Sequence, residues 1–144
     1  MARVLGIDIG TRRVGLAISD ASGTLARPLT TLRVTGARDA VDRVVREIAR
    51  LAGEDGGLAQ IVVGIPKRLD GAATDETRRA EAFIAALGAC TAVPIAREDE
   101  RLTSREAESR LAERERDWRA RKLKLDAAAA AIILQDFLDR ERSG

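Results

Sequence analysis

Acidic residues occur at three places where the sequence predicts that a strand ends or a helix begins. Asp8 interrupts the apolar run RVLGIDI, Glu98, Asp99 and Glu100 follow the run TAVPIA, and Asp126 opens the run DAAAAAIILQDFL. A carboxylate inside an apolar strand is costly to bury unless it is paired or binds a cation. Carboxylates gathered at one edge of a sheet would repel one another unless Mg²⁺ or Mn²⁺ neutralised them, and such ions activate water for phosphodiester hydrolysis.

Each of these acids also has a purely structural interpretation. Asp8 could accept hydrogen bonds from the amides of the following turn, and the three acids at 98–100 could simply be solvated. Asp126 could cap the last helix, or it could be an acid that the helix dipole stabilises at the N-terminus. The segment 103–106 (TSRE) could form a capping box for a further helix. The hypothesis of a metal site therefore depends on all three groups converging.

The composition excludes several other kinds of catalysis. The chain has 144 residues with no His, no Tyr and a single Cys. It therefore has no imidazole base, no tyrosine nucleophile and no pair of cysteines for an internal disulfide or thiolate cluster. Cys90 falls between a predicted helix and a predicted strand, and we interpret it as a small, half-buried residue.

Basic residues are abundant, although the formal net charge is only +2. In the stretch 114–124 (RERDWRARKLK) cations outnumber acids around the only Trp. Such a stretch could neutralise phosphates and stack on an unpaired base, or it could be a charged helix end whose Trp covers the core. The candidate nucleic-acid contacts are Arg12, Arg13, Lys67, Arg68, Arg101, Trp118, Arg119, Arg121 and Lys122.

The hydrophobic pattern predicts five strands and four helices. Strands are expected at 3–9, 14–19, 24–34 (interrupted near Pro28), 59–65 and 91–96. Helices are expected at 37–52, 74–87 (capped by Thr74), 103–116 and 126–140, with a loop at 117–125. Three antiparallel strands followed by strands that alternate with helices predict an α/β protein with a mixed five-stranded sheet and helices on both faces.

Length and hydropathy indicate one cytosolic domain over residues 1–144. Apolar residues make up 45% of the chain and charged residues 33%, as in soluble globular proteins. No uninterrupted apolar stretch approaches the roughly 20 residues that span a bilayer, so no membrane partner is expected. The N-terminal segment shows no cleavable signal pattern.

Four segments together resemble the signature blocks of the YqgF family, also called RuvX. They are GIDIGTRRVGLAISD (6–20), VVGIPKRLDG (62–71), DERLTSREAE (99–108) and KLDAAAAAIILQDFL (124–138), in family order. The resemblance implies an RNase H-like fold, which the order of elements also suggests, and a metal-dependent nuclease of the cytoplasm. Members are described as nucleases of precursor 16S ribosomal RNA and as relatives of Holliday junction resolvases.

The resemblance also implies which acids form the site. The family's pattern matches Asp8, Glu100 and Asp126, with Asp99 as an alternative metal ligand and no reliable counterpart for Glu98. Related resolvases carry a fourth acid shortly after the last one, but residues 127–131 are all Ala. Three carboxylates are therefore expected, and the number of Mg²⁺ or Mn²⁺ ions stays open.

Two substrates fit this hypothesis, the 5′ end of precursor ribosomal RNA and four-way DNA junctions. A junction resolvase should be a symmetric homodimer because it must cut two strands, whereas an RNA-trimming enzyme could act alone. Two other classes remain open. A sugar kinase or actin-like ATPase has a similar first hairpin but needs two such domains to enclose a nucleotide. A nucleic-acid-binding module without activity would not need three mutually repelling acids.

Overall fold

In the computed structural model the chain is described over residues 2–100 and 125–143. The strands are β1 (Arg3–Ile9), β2 (Arg13–Ser19), β3 (Ala26–Arg33), β4 (Leu58–Ile65) and β5 (Ile95–Asp99). The helices are α1 (Ala37–Ala52), α2 (Asp75–Gly88) and α3 (Leu125–Ser143). The predicted helix at 103–116 and most of the predicted loop at 117–125 lie outside the described residues.

The five strands form one sheet in the order β3-β2-β1-β4-β5. β1, β2 and β3 pair antiparallel, whereas β4 pairs parallel to β1 and to β5. The register shifts opposite Pro28, at the interruption that the sequence predicts. Proline fits there because β3 is an edge strand. The predicted mixed sheet is confirmed, and its parallel strands end at a common edge.

Helices cover both faces of the sheet, as predicted. α1 and α2 enclose one hydrophobic core with inward residues such as Leu5 and Ile7, and α3 encloses a second core that includes Val4. Side chains alternate between the two faces along a strand. Gly6 and Asp8 therefore belong to the same face as Val4, the face that α3 covers.

The fifth strand begins and ends later than the sequence predicts. The predicted fifth strand is present, but its predicted bounds of 91–96 are wrong, because β5 comprises Ile95–Asp99. The Thr91 hydroxyl accepts a hydrogen bond from the Val93 amide at 3.2 Å, which folds this segment into a local turn. Pro94 has no amide hydrogen to donate, so regular pairing starts after it. Two acids expected in a loop, Glu98 and Asp99, consequently belong to the strand.

Helix α3 is fixed to both outer parts of the sheet by polar contacts. The Gln135 side chain, only 1% exposed, accepts a hydrogen bond from the Ala26 amide at 2.9 Å and donates to the Thr24 carbonyl at 3.0 Å. On the β5 side, Arg140 forms an ion pair with Glu98, which is 4% exposed. These contacts hold α3, which carries Asp126 in its first turn, in a defined position over the sheet.

Gly6 allows α3 to lie directly on β1, and we predict that Gly6→Ala is destabilising. A Cβ at Gly6 would lie 2.8 Å from the Leu134 Cβ and 3.1 Å from the Ala130 carbonyl oxygen. Neither atom can move without shifting the helix, so we expect a loss of about 1–3 kcal/mol in unfolding free energy by urea denaturation. Gly88→Ala, whose Cβ would approach no closer than 3.9 Å to Ile95, should cause no loss. Equal stability of the two variants would contradict this prediction.

Candidate active site

The site lies at the edge of the sheet where the parallel strands β1, β4 and β5 end. Asp8 is the next-to-last residue of β1, and Glu100 directly follows β5. Ligand and catalytic groups commonly gather at the carboxyl ends of parallel strands. The prediction that acids from the first and the last strand share one edge agrees with this arrangement.

Asp8 and Glu100 are in direct contact through a hydrogen bond between their side chains. Burial is the largest cause that raises the pKa of Glu100, followed by the negative charge of Asp8 and this hydrogen bond. Together with smaller effects of Glu76 and Asp99, they bring the pKa from 4.5 to about 7. Without a cation, the pair therefore tends to share a proton near neutral pH.

Gly64 provides the space that Glu100 occupies. A Cβ at Gly64 would lie 3.1 Å from the Glu100 Oε1 and 2.6 Å from the Ile133 Cδ1. Gly64 pairs with Glu98 in the sheet, two residues before Glu100. Any larger residue at position 64 would displace the Glu100 carboxylate or the Ile133 side chain of α3.

Two arginines line a groove next to Asp8. The groove has a volume of about 300 Å³ and is lined by Asp8 and the turn from Gly10 to Arg13. The Gly10 amide donates to the Arg13 carbonyl at 2.9 Å, and a Cβ at Gly10 would lie 2.8 Å from that oxygen. The tight turn thus requires glycine and places Arg12 and Arg13 beside the acid, as the sequence predicts.

The loop after β4 brings further charges to the same edge. Lys67 and Arg68 are both exposed there, and Arg68 lies 3.6 Å from Asp70 in an exposed ion pair. The loop ends at Thr74, which caps α2, and the Thr77 hydroxyl donates a hydrogen bond to the Pro66 carbonyl. This contact ties the start of α2 to the end of β4.

Glu76 is an acid of this edge that the sequence analysis missed. It lies in the first turn of α2, and its charge contributes to the raised pKa of Glu100. A signal was present in the sequence, because a helix that follows a parallel strand after a short loop must begin near the carboxyl edge. The position of Glu76 near this edge was therefore predictable together with that of the acids at the strand ends.

The remaining candidates have different outcomes. Glu98 faces α3, where Arg140 neutralises it, and Asp99 is half-buried at the end of β5. Cys90 is exposed rather than half-buried. Asp126 lies in the first turn of α3, one turn before Ala130, and its side chain lies outside the described part. Arg101, Trp118, Arg119, Arg121 and Lys122 lie outside the described residues.

Within residues 2–100 and 125–143, no three Asp, Glu, Cys or His side chains form a group that could hold a metal ion. Among the described helices, none is long and apolar enough to cross a membrane.

Comparison with known sequences identifies the family. The sequence profile of RuvX, described as a Holliday junction resolvase, matches residues 2–140. The chain belongs to the RuvX family. Two relatives bear the name "Putative pre-16S rRNA nuclease". The Leifsonia xyli protein is 42% identical and the alignment covers 96% of this chain and 86% of that protein. The Chloroflexus aggregans protein is 39% identical, with coverage of 97% and 95%.

Solved structures show the same fold for this RuvX protein. Thermus thermophilus RuvC in complex with a Holliday junction substrate superposes with a TM-score of 0.62 at 16% identity, covering all of this chain and 97% of RuvC. The predicted RNase H-like, resolvase-type fold is confirmed. Since the family and its relatives carry names of nucleases, the predicted class of enzyme, a nuclease acting on phosphodiester bonds, is confirmed as well.

Proposed function

We propose that this RuvX protein is a metal-dependent endonuclease that cuts structured nucleic acid at the edge carrying Asp8 and Glu100. The observation that carries the proposal is the hydrogen-bonded pair of these carboxyl groups, in which the pKa of Glu100 rises to about 7. Two acids in contact destabilise each other when both are ionised. A divalent cation would relieve the repulsion, and carboxylate oxygens are the ligands that Mg²⁺ and Mn²⁺ prefer.

Asp8, Glu100 and Asp126 would hold the ion, with Asp99 as an alternative ligand. When bound, the ion supplies an activated water and neutralises charge that develops on the scissile phosphate. Before it binds, the proton shared by Asp8 and Glu100 must leave. Both carboxylates would then be ionised and would serve as ligands of the cation. Activity should therefore rise with pH through the range in which Glu100 loses its proton.

The exposed cations around the edge would position the phosphate backbone. Arg12 and Arg13 line the groove next to Asp8, and Lys67 and Arg68 lie in the loop after β4. Arginine and lysine bind phosphate oxygens and release counterions, which makes such binding sensitive to salt. The cations predicted at Arg101 and in the stretch 114–124 would extend this surface.

We infer that the substrate is the 5′ region of precursor 16S ribosomal RNA. Support comes from the names of relatives about 40% identical over nearly the whole chain. Such an enzyme would work in the cytoplasm. The alternative substrate is a four-way DNA junction, which the description of the family favours. An enzyme for that substrate would act as a homodimer, because two strands must be cut symmetrically.

A cleavage assay with both substrates tests this proposal. Purified protein is incubated with 5′ fragments of precursor 16S rRNA or with synthetic four-way junctions, in Mg²⁺, Mn²⁺ or EDTA. We expect metal-dependent cutting of the RNA, with little cutting of junctions, and a monomer by size-exclusion chromatography. Cutting of junctions alone by a dimer would favour the alternative substrate. Binding of both substrates without cutting either would contradict a nuclease.

A further inference from the structure

A second, larger cleft opens beside the candidate active site, between α1 and α2. Its volume is about 710 Å³, and its lining is mostly apolar. Helix α1 contributes residues that include Ala37 and Val41, and α2 contributes Ala82, Phe83 and Ala86. Cavities of roughly 300–1,000 Å³ with apolar walls and a few polar groups are typical sites for small organic groups. The nuclease reaction does not itself require this cleft.

The cleft adjoins the groove that contains Asp8, although it lies on the opposite face of the sheet from the Asp8 side chain. Gly10 and Thr11 belong to the turn after β1, which separates the cleft from the groove. These two residues therefore line both spaces. A strand that crosses this turn, with one phosphate at Asp8 and Arg12, would have a neighbouring nucleotide at the mouth of the cleft.

The charges at the rim suit the same ligand. Arg38 from α1 and Arg79 from α2 line the cleft, against a single acid, Asp42. The apolar interior of the cleft suits a flat ring with apolar faces, and the two guanidinium groups at the rim suit phosphates attached to that ring. This complementarity favours a nucleotide over a purely apolar ligand.

We propose that the cleft between α1 and α2 receives an unpaired nucleobase of the substrate strand, adjacent to the phosphate held at Asp8. The inference rests on the proposed function. It assigns to the nuclease a preference for substrates with an unpaired nucleotide beside the cut. A base inside a duplex is stacked and paired on both sides, so it cannot enter without being extruded. Single-stranded or frayed RNA ends therefore fit the cleft, whereas fully paired duplexes do not.

Cys90 provides a direct reporter of occupancy. It is the only cysteine of the chain, it is exposed, and it lines the cleft. In the Asp8→Asn protein, which should bind RNA without cutting it, the rate of Cys90 reaction with a thiol reagent is measured. RNA with an unpaired 5′ segment should slow the reaction about fivefold or more, by analogy with the strength of base contacts in single-strand sites.

As a control, a paired duplex of equal length is added until the same fraction of protein is bound, as measured by fluorescence anisotropy. The duplex should change the rate of Cys90 reaction by less than about twofold, because its stacked bases do not enter the cleft. Equal reaction rates with bound single-stranded RNA and without RNA would overturn the proposal. Protection that grows with protein concentration in the absence of RNA would also overturn it, because a second copy of the chain would then occupy the cleft. Since this readout needs no cleavage, it can fail while metal-dependent cutting by the wild type still supports the nuclease.

Two tryptophan substitutions on α2 test whether the cleft contributes to catalysis. Ala86 and Ala85 are neighbouring exposed residues, but only Ala86 lines the cleft. Ala86→Trp should fill the cleft and raise KM for RNA with an unpaired 5′ segment about tenfold, with kcat nearly unchanged. Ala85→Trp should leave both constants unchanged, and both variants should unfold at the wild-type temperature. Equal KM values for the two variants would overturn the proposal.

Discussion

Asp8→Asn should reduce metal-dependent cleavage about a thousandfold or more, while the metal-free protein stays at least as stable as the wild type. The loss follows because a metal ion typically supplies several kcal/mol of transition-state stabilisation, and Asn is a far weaker ligand than Asp. Stability should not fall, because the substitution removes the charge that opposes ionisation of Glu100. Single-turnover cleavage and thermal denaturation in EDTA measure the two effects.

The matched control for this variant is Asp55→Asn. Asp55 is exposed in the turn between α1 and β4, at the opposite end of β4 from the site. The Asp55→Asn variant should therefore cleave the substrate at the same rate as the wild type. A large drop in the melting temperature of metal-free Asp8→Asn would contradict the account. It would indicate that Asp8 serves to bond the amides of its turn.

Glu100→Gln should also abolish cleavage, and it should remove a pH dependence of folding stability. The pKa of Glu100 is about 7 in the folded protein and 4.5 in a free side chain, so the folded state binds the proton more tightly. The tighter binding of this proton stabilises the folded state. The stabilisation is fully present below pH 4.5 and is lost as the pH rises to about 7. Since Glu100 is only partly buried, we expect a loss of about 1–3 kcal/mol.

Urea denaturation in EDTA across this pH range measures the effect as the difference between wild type and Glu100→Gln. Glu141→Gln, which changes an exposed acid in the last turns of α3, should follow the wild type at every pH. Added Mg²⁺ should restore the wild-type stability most strongly above the pKa of Glu100, where the ion does not compete with a proton. Parallel pH profiles for wild type and Glu100→Gln would contradict the coupling of the two carboxyl groups.

Local sequence signals predicted most elements of the fold. The predicted helix at 37–52 has the observed bounds of α1 because its apolar residues recur at helical spacing up to Gly53. Thr74 caps α2 as predicted, through a reciprocal pair of hydrogen bonds with Thr77. The convergence of Asp8 and Glu100 was predictable for a similar reason, since strand ends in a parallel sheet share an edge.

What the sequence did not reveal depends on contacts between distant residues. Glu98 resembled a solvated loop acid, but Arg140 from α3 neutralises it and allows it to belong to a buried strand. The close approaches at Gly6 and Gly64 require the position of α3, which local periodicity does not define. The cleft between α1 and α2 likewise arises from helix packing, and Cys90, which lines that cleft, is exposed.

Binding of Mn²⁺ to the metal-free protein tests the central claim most directly. Free Mn²⁺ is followed by electron paramagnetic resonance during titration of wild type, Asp8→Asn and Asp55→Asn, above the pKa of Glu100. We predict that wild type and Asp55→Asn bind the ion equally well, and that the affinity of Asp8→Asn is at least about tenfold lower. Equal affinity of Asp8→Asn and wild type would contradict the assignment of this carboxylate pair as a metal site.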